Sequence, residues 1–335
     1  MELPFVTLDV FTDTALEGNP LAVVSIPASL EAELTQAKKQ KIAQEFNLSE
    51  TVFMHEPRND DQGNPTQLPI DIFTVESELP FAGHPTIGSA VLAKFHRYPD
   101  VTTLLTKSGP IHLEVTSTST SAEEKQSVRA RISHDVRVHQ KTLADAIPED
   151  QHASYPGLSH HLPAVREAEL RAPVCSIVRG MTFVLVKVPS LELLGQLDQG
   201  LRLDFDRLPQ PLLDADRQPA GFVARYYYVD QGGQEEEGVR KIRTRMLELG
   251  FEDPATGSAA SSLTAFLALD ADKTSSSRPG ESVRRFEVTQ GVEMGRRSVI
   301  HVETRSGAAE EQGKIRELWL GGQAVMVQKG TLMVN

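Results

Sequence analysis

With 335 residues, the chain is longer than a single hydrophobic core usually serves, so two domains of roughly 150 residues are expected. Hydrophobic residues make up 39% and charged residues 24%, which is typical of a folded globular protein. The net charge of −12 argues against nucleic acid as a partner, because a phosphate backbone requires a basic face. Cys175 is the only cysteine, which excludes an intrachain disulfide, and its apolar surroundings predict a buried, inert thiol.

The first residues carry Glu2 where a secretory signal peptide would carry a base, and they alternate like a strand. No apolar run approaches the ~20 residues of a membrane span. The sequence therefore predicts a soluble, cytoplasmic protein without a membrane partner. A hairpin opens the chain, with strands at Phe5 to Phe11 and Leu21 to Ile26 joined by a turn at Gly18 to Pro20.

The rest of the first half contains one amphipathic helix and several strands. Helical spacing of apolar residues runs from Leu30 to Phe46 and stops at Asn47, a residue that tolerates the left-handed conformation. Glu50 then stands at a helix-to-strand junction. The remaining predicted elements are a strand at 51–54, a loop at 58–67, strands at 70–75, 101–106, 111–115 and 128–132, and a low-complexity loop at 117–127.

The second half is also rich in strands. His152, His160 and His161 have no partners at metal-ligand spacing, so no metal site is predicted. The predicted strands are 174–178, 183–188, 222–229, 239–246, 286–289, 298–304 and 315–327, with a short helix from Leu191, a charged hairpin tip at 232–237, a helix at 259–269 and a surface loop at 270–281.

One motif occurs twice. An ionisable residue, Pro, two variable residues and Gly-Ser-Ala are found at 84–90 and 253–259, with the two prolines 169 residues apart and no gap in register. The repeat indicates two similar halves. Pro is favoured at the first helical position, so each run predicts a helix start at Pro85 and Pro254. Free N–H groups at such starts favour a small anion, and two facing starts would grip one carboxylate.

Three ionisable groups are candidates for chemistry: Glu50, His84 and Asp253. A carboxylate in a water-poor cleft has a raised pKa and can take and return a proton near neutral pH. The alternatives are structural: Glu50 as a solvated acid at a turn, and Asp253 as a helix N-cap.

Each half thus consists of many strands around one largely apolar helix, at 88–95 and at 257–269. A helix that is apolar nearly all round must be buried, which predicts an α+β fold with a curved, mostly antiparallel sheet wrapped about each helix.

At these positions the sequence resembles the PhzF-like phenazine-biosynthesis family. The resemblance covers nearly the whole chain and rests on the two helix-start motifs together with the segments 9–12, 18–23, 47–53, 290–296 and 321–325.

The resemblance implies a diaminopimelate-epimerase-like fold of two pseudo-symmetric, barrel-like domains, 1–128 plus 322–335 and 129–321, with the active site in the cleft between them. It implies a cofactor-independent isomerase without a bound metal, acting on a small carboxylate-bearing substrate, and leaves a homodimer open. Glu50 would shuttle the proton. The other implied site residues are His84 and Asp253 as catalytic residues, and Gly83, Ser89, Gly257 and Ser258 as substrate-binding residues.

Other functions are weighed against this one. The related epimerases use two cysteines at the helix starts, and this chain has none there, which excludes racemisation through thiols. An NAD enzyme is disfavoured because no Gly-x-Gly-x-x-Gly follows a strand. A binding protein of the same fold that has lost turnover is the alternative. The presence of Glu50, His84, Asp253 and Ser258 together favours the enzyme, because a binder would not need the shuttle carboxylate.

Overall fold

The computed structural model describes residues 1–116, 126–219, 221–234, 238–248, 250–274, 282–307 and 314–334. The chain forms two compact units. Unit 1 consists of Met1–Ile132 and Trp319–Asn335, and unit 2 consists of Ser133–Leu318.

In unit 1 the sheet closes on itself. Its strands are β1 (Glu2–Val10), β2 (Asn19–Ser25), β3 (Thr51–Met54), β4 (Gln67–Phe73), β5 (Glu78–Leu79), β6 (Thr103–Thr106), β7 (Gly109–Val115), β8 (Ser127–Arg131) and β16 (Ile315–Met333), which begins in unit 2. Within the described residues, eight of these strands follow one another in the order β1-β2-β3-β4-β6-β7-β8-β16, and β16 pairs with β1 to complete the ring. The two-residue strand β5 pairs with β4 outside this ring.

The two ends of the chain lie side by side. Glu2 is paired with Met333 across the β1–β16 ladder, and the Val334 N–H donates to the Met1 carbonyl at 2.9 Å. The last strand therefore completes the sheet of unit 1.

Two helices belong to unit 1, α1 (Gln36–Phe46) and α2 (Gly83–Leu92), and α2 continues as a π-helical turn at Ala93–Arg97. Every residue of α2 is buried, and the helix packs against β1, β2, β3 and β8. Helix α1 is capped by Thr35 and ends at Asn47, whose φ of 52° is left-handed as predicted. Its predicted start at Leu30 is wrong, because the Thr35 hydroxyl accepts the Lys38 N–H and fixes the first turn there.

The strands and α-helices described in unit 2 are β9 (Arg137–Val138), α3 (Leu143–Ala146), α4 (Pro163–Arg171), β10 (Val174–Val178), β11 (Met181–Lys187), α5 (Leu191–Gly195), β12 (Phe222–Gln234), β13 (Val239–Met246), α6 (Gly257–Thr274), β14 (Val283–Gln290) and β15 (Ser298–Ser306). The strands follow one another in the order β9-β10-β11-β12-β13-β14-β15. The longest of these helices, α6, is buried along most of its length and packs on β10, β11, β14 and β15.

The two units share one topology. From β1 to β7 in unit 1, successive pairs are antiparallel, parallel, antiparallel, parallel and antiparallel. The same series runs from β10 to β15 in unit 2. In each unit the first parallel connection contains a partly exposed helix, α1 or α5, and the second contains the buried helix, α2 or α6. The predicted α+β fold, with a mostly antiparallel sheet around a central helix in each half, is confirmed.

Three predicted loops differ from the structure or lie partly outside it. The predicted loop at 270–281 begins too early, because α6 continues to Thr274, and 275–281 lie outside the described residues. Most of the loop at 117–127 and the tip residues 235–237 also lie outside them. In the loop at 58–67, the Asp60 carboxylate accepts hydrogen bonds from two backbone N–H groups and the Thr66 hydroxyl.

Cys175 is fully buried, as predicted, and burial raises its pKa to about 11, which disfavours the reactive thiolate. None of the helices in the described ranges is long and apolar enough to cross a membrane.

Candidate active site

Glu50 occupies the predicted junction between α1 and β3. It follows the Asn47 cap by three residues and immediately precedes Thr51, the first residue of β3. The side chain of Glu50 is 17% exposed. Burial raises the pKa of Glu50, and a hydrogen bond from the Ser49 side chain partly opposes this shift. Glu50 is therefore not a solvated acid at a turn. At a given pH, a larger fraction of Glu50 is protonated than of an ordinary, solvated glutamate.

His84 is the neighbour of Glu50 in unit 1. It is the second residue of α2 and is buried, and its Nδ1 lies 3.5 Å from Glu50 Oε2. Glu50 immediately precedes β3, and His84 lies at the start of α2. The fold therefore brings an acid and a base together beside the first motif. Such a pair can exchange and relay a proton.

Helix α2 begins at Gly83, with Ala82 as its N-cap residue. The prediction that Pro85 is the first helical residue is wrong by two positions. Ser89, the seventh residue of α2, is 0% exposed, and its hydroxyl has no hydrogen-bond partner among the described residues. Gly83 therefore lies at the helix start, whereas Ser89 is enclosed by the core, and the substrate-binding roles of both stay predictions.

The second motif folds differently. Helix α6 begins at Gly257, so the predicted start at Pro254 is wrong by three positions. Had the helix begun at Pro254, the Asp253 carbonyl would accept the first helical hydrogen bond, from the N–H of Gly257. That carbonyl instead accepts a 2.7 Å hydrogen bond from Gln290 Nε2. Gly257 and the half-buried Ser258 consequently form the helix start.

Asp253 caps a turn that precedes α6. Its carboxylate accepts hydrogen bonds from the Thr256 hydroxyl at 2.6 Å and from the Ala255 N–H at 3.4 Å. Its own N–H donates to the Met246 carbonyl at 3.0 Å, and the residue is 7% exposed. The structure thus assembles the predicted site residues as two groups, Glu50, His84 and Gly83 in unit 1, and Asp253, Gly257 and Ser258 in unit 2.

Sequence reasoning missed three residues that surround Asp253. Gln290 ends β14, Thr256 precedes α6, and Tyr226 lies in β12 with its hydroxyl 2.7 Å from Gln290 Oε1. Gln290 belongs to one of the segments that carry the family resemblance, which was the available signal. Tyr226 had no such signal, because a tyrosine in an apolar strand is an ordinary core residue.

The residue before Asp253 is also held by charge. Arg245 in β13 binds Glu252 with two parallel hydrogen bonds of 2.8 Å, from Nε to Oε1 and from Nη2 to Oε2. Both side chains are almost completely buried. This bidentate pair anchors the chain as it enters the second motif.

Ser176, His139 and Asp214 form a second polar arrangement in unit 2. Ser176 Oγ lies 2.8 Å from His139 Nε2, as in a hydrolase triad. However, His139 Nδ1 accepts the Asp214 backbone N–H at 3.1 Å, so the ring proton is on Nε2 and points to the serine. Burial lowers the pKa of His139, which keeps the ring neutral. The imidazole cannot remove the serine proton, and the arrangement is structural.

Metal ligation is not indicated in the described segments, where no group of three or more His, Cys, Asp or Glu side chains could hold an ion. His152 Nε2 and His160 Nδ1 instead contact backbone carbonyls, at 2.8 Å and 3.2 Å.

The model of the PhzC-PhzF family, described as phenazine biosynthesis-like protein, matches residues 8–330. The chain belongs to this family. It is 31% identical to an uncharacterized isomerase of Mesorhizobium japonicum over 98% of both chains. It is 28% identical to the trans-2,3-dihydro-3-hydroxyanthranilate isomerase of Pseudomonas fluorescens over 98% of this chain and 99% of that one. Because relatives of similar length are named isomerases, this family member is an isomerase.

Solved structures show the same fold. A PhzF-family phenazine biosynthesis protein of Bacillus anthracis has a TM-score of 0.68 with 19% identity, over 100% of both chains. A hydroxyproline epimerase of Agrobacterium vitis has a TM-score of 0.52 with 14% identity, over 99% of this chain and 91% of that chain. The fold of this family member is therefore also found in an epimerase.

Proposed function

We propose that this protein is a cofactor-independent isomerase that moves a proton between two carbons of a small carboxylic acid, with Glu50 as the acid-base residue. In this reaction Glu50 removes a proton from one carbon, the double bond shifts, and the same proton or a solvent proton is returned to another carbon. The net oxidation state of the substrate is unchanged.

The observation that carries the proposal is the environment of Glu50. Burial raises the pKa of its carboxyl group, which brings proton uptake and release closer to neutral pH. His84 Nδ1, 3.5 Å away, is a neighbouring group that can steady the carboxyl or relay its proton. A solvated glutamate would hold a transferred proton too weakly for this role.

The second motif supplies groups that suit the rest of such a substrate. The start of α6 at Gly257 and Ser258 has backbone N–H groups that favour a carboxylate. Asp253 presents an acceptor that suits an amine or hydroxyl substituent. In this proposal, Glu50 and His84 transfer the proton, and Asp253, Gly257 and Ser258 bind the substrate.

The proposed substrates are unsaturated carboxylic acids with an amino or hydroxyl substituent. This class includes trans-2,3-dihydro-3-hydroxyanthranilate, which is named in the activity of the Pseudomonas fluorescens relative.

Deuterium incorporation tests the proposal. The purified protein would be incubated in heavy water with a panel of such acids that includes trans-2,3-dihydro-3-hydroxyanthranilate, and deuterium in recovered substrate and product would be measured by mass spectrometry. We expect incorporation into one panel member with the parent protein and a loss of at least about 100-fold with Glu50→Gln, because Gln cannot act as a base.

Glu45→Gln is the matched control, since Glu45 is an exposed acid on α1. It should exchange like the parent. Equal exchange by Glu50→Gln and the parent would overturn the mechanism, whereas binding of panel acids with neither exchange nor isomerised product would favour the binding protein.

A further inference from the structure

The side-chain amide of Gln290 has a single permitted orientation. Its Nε2 lies 2.7 Å from the Asp253 carbonyl oxygen, and its Oε1 lies 3.2 Å from the Thr256 backbone nitrogen. A carbonyl only accepts and an N–H only donates. A flipped amide would therefore place its oxygen against the Asp253 carbonyl oxygen and its NH2 group against the Thr256 N–H. The backbone partners therefore fix which end of the amide is the oxygen.

This orientation decides the proton of Tyr226. The Tyr226 oxygen is 2.7 Å from Gln290 Oε1, which carries no proton, so Tyr226 must donate. Burial raises the pKa of Tyr226 far above its usual range, which keeps the hydroxyl protonated. Thr244 Oγ1, at 2.8 Å from the tyrosine oxygen, is left to donate to it.

The same orientation decides the proton of Thr256. Gln290 Nε2 donates its second proton to Thr256 Oγ1 at 3.0 Å. The Thr256 hydroxyl has one proton of its own, and the remaining partner is Asp253 Oδ2 at 2.6 Å. Distances of about 2.5–2.7 Å are typical of a hydroxyl that donates to an ionised carboxylate.

The Thr256 hydroxyl and the Ala255 N–H thus both donate to the Asp253 carboxylate. Oδ2 accepts from Thr256 and Oδ1 accepts from the Ala255 N–H at 3.4 Å. A proton on Oδ2 would be opposed by the Thr256 hydroxyl proton, so the network stabilises the charged form of the carboxyl group.

From this geometry we infer that Gln290 is a positioning residue, which acts through Thr256 to hold Asp253 as an oriented, ionised carboxylate for an ammonium or other hydrogen-bond-donating group of the substrate. The substrate part of this inference rests on the proposed function. The positioning part concerns only the contacts of Gln290, Thr256 and Asp253.

Neutron diffraction from crystals of the deuterated protein at pH 7 tests the positioning part without a substrate. We expect a deuteron on Tyr226 directed to Gln290 Oε1, a deuteron on Thr256 directed to Asp253 Oδ2, and none on the Asp253 carboxyl group. A deuteron on Asp253, or a Thr256 hydroxyl directed away from it, would overturn the inference whether or not a substrate is found.

Steady-state kinetics test the substrate part, with the panel acid that exchanges deuterium. Thr256→Val and Gln290→Leu should each raise KM about tenfold for an amine-bearing acid, with kcat changed less than about threefold, because a hydrogen bond to a charged group is lost or misdirected. Thr256→Ser retains the hydroxyl and should restore KM to within about twofold of the parent.

A double variant separates positioning from a general structural role. If Gln290 acts through Thr256, adding Gln290→Leu to Thr256→Val should raise KM by less than about twofold beyond Thr256→Val alone. Independent, multiplying effects, or a fall in kcat without a change in KM, would contradict the inference.

Discussion

The two copies of the repeated motif have the same residue pattern but different local structures. In unit 1 the helix begins at Gly83, ahead of the motif's proline, whereas in unit 2 it begins at Gly257, after the proline. The difference comes from a residue outside the motif, because the Gln290 amide binds the carbonyl that would otherwise start α6. A repeated sequence therefore predicts a repeated fold, while the environment decides where each helix starts.

The chemistry of the two helix starts differs accordingly. The first holds a partly buried glutamate beside a histidine, an arrangement suited to moving a proton. The second holds an aspartate within directed hydrogen bonds, an arrangement suited to binding. Similar folds in the two units thus supply different functional groups.

The largest effect should come from the ion pair that only the second motif carries, because the first has Gly83 at the place of Glu252. Arg245→Met leaves the Glu252 carboxylate buried without its guanidinium and should lower the free energy of unfolding by about 3–5 kcal/mol in urea denaturation. Arg243→Met, on the same strand, is the control, since its pair with Glu293 is more exposed, and it should cost less than about 1 kcal/mol. Equal losses would contradict this difference.

Alanine substitutions at two glycines should show how tightly the chain is packed around each motif. At Gly291, with φ of +75°, an added Cβ would lie 2.4 Å from the Arg296 carbonyl oxygen and 2.8 Å from that of Pro254. At Gly88 it would meet the side chains of Leu21 at 2.6 Å and Val10 at 2.8 Å. Side chains yield more easily than backbone, so we expect Gly291→Ala to cost about 3 kcal/mol and Gly88→Ala about 1–2 kcal/mol. Thermal denaturation would measure both, and the reverse order would be inconsistent with this packing.

The equivalent serines, Ser89 and Ser258, test whether function follows the repeat. Ser258→Ala should raise KM about fivefold, the value of one hydrogen bond, because Ser258 lies at a helix start. Ser89→Ala should change KM less, because Ser89 is fully buried within α2. Steady-state kinetics with both variants would decide, and equal increases would mean that the two motifs contribute alike.

A pH series should isolate Glu50. Its folded-state pKa is raised above the ordinary value of 4.5, so the stability linked to its protonation is present below about pH 4.5 and is lost as pH rises through the folded pKa. Glu50→Gln cannot lose a proton there and should therefore become more stable than the parent as pH increases, with the gap closing near pH 4. Urea denaturation from pH 4 to 8 would measure the difference, and a gap that does not vary with pH would refute the raised pKa.

The sequence was sufficient for the α+β class, the two buried helices, the Asn47 cap and the terminal strand, because each depends on local periodicity or on a family motif. It was not sufficient for the helix starts. The start of α6 depends on Gln290, which is distant in sequence from Asp253 and reaches it through the β-sheet. The connection from Tyr226 to Asp253 is likewise a product of strand order.

In the proposed division of roles, Glu50 beside the first motif moves the proton, and the second motif binds the substrate. The most direct test compares Glu50→Gln and Asp253→Asn in kcat and KM with the acid that exchanges deuterium. We predict a fall in kcat of at least about 100-fold with little change in KM for Glu50→Gln, and a rise in KM of about tenfold or more with a smaller change in kcat for Asp253→Asn. A fall in kcat confined to Asp253→Asn, with Glu50→Gln as active as the parent, would contradict the claim.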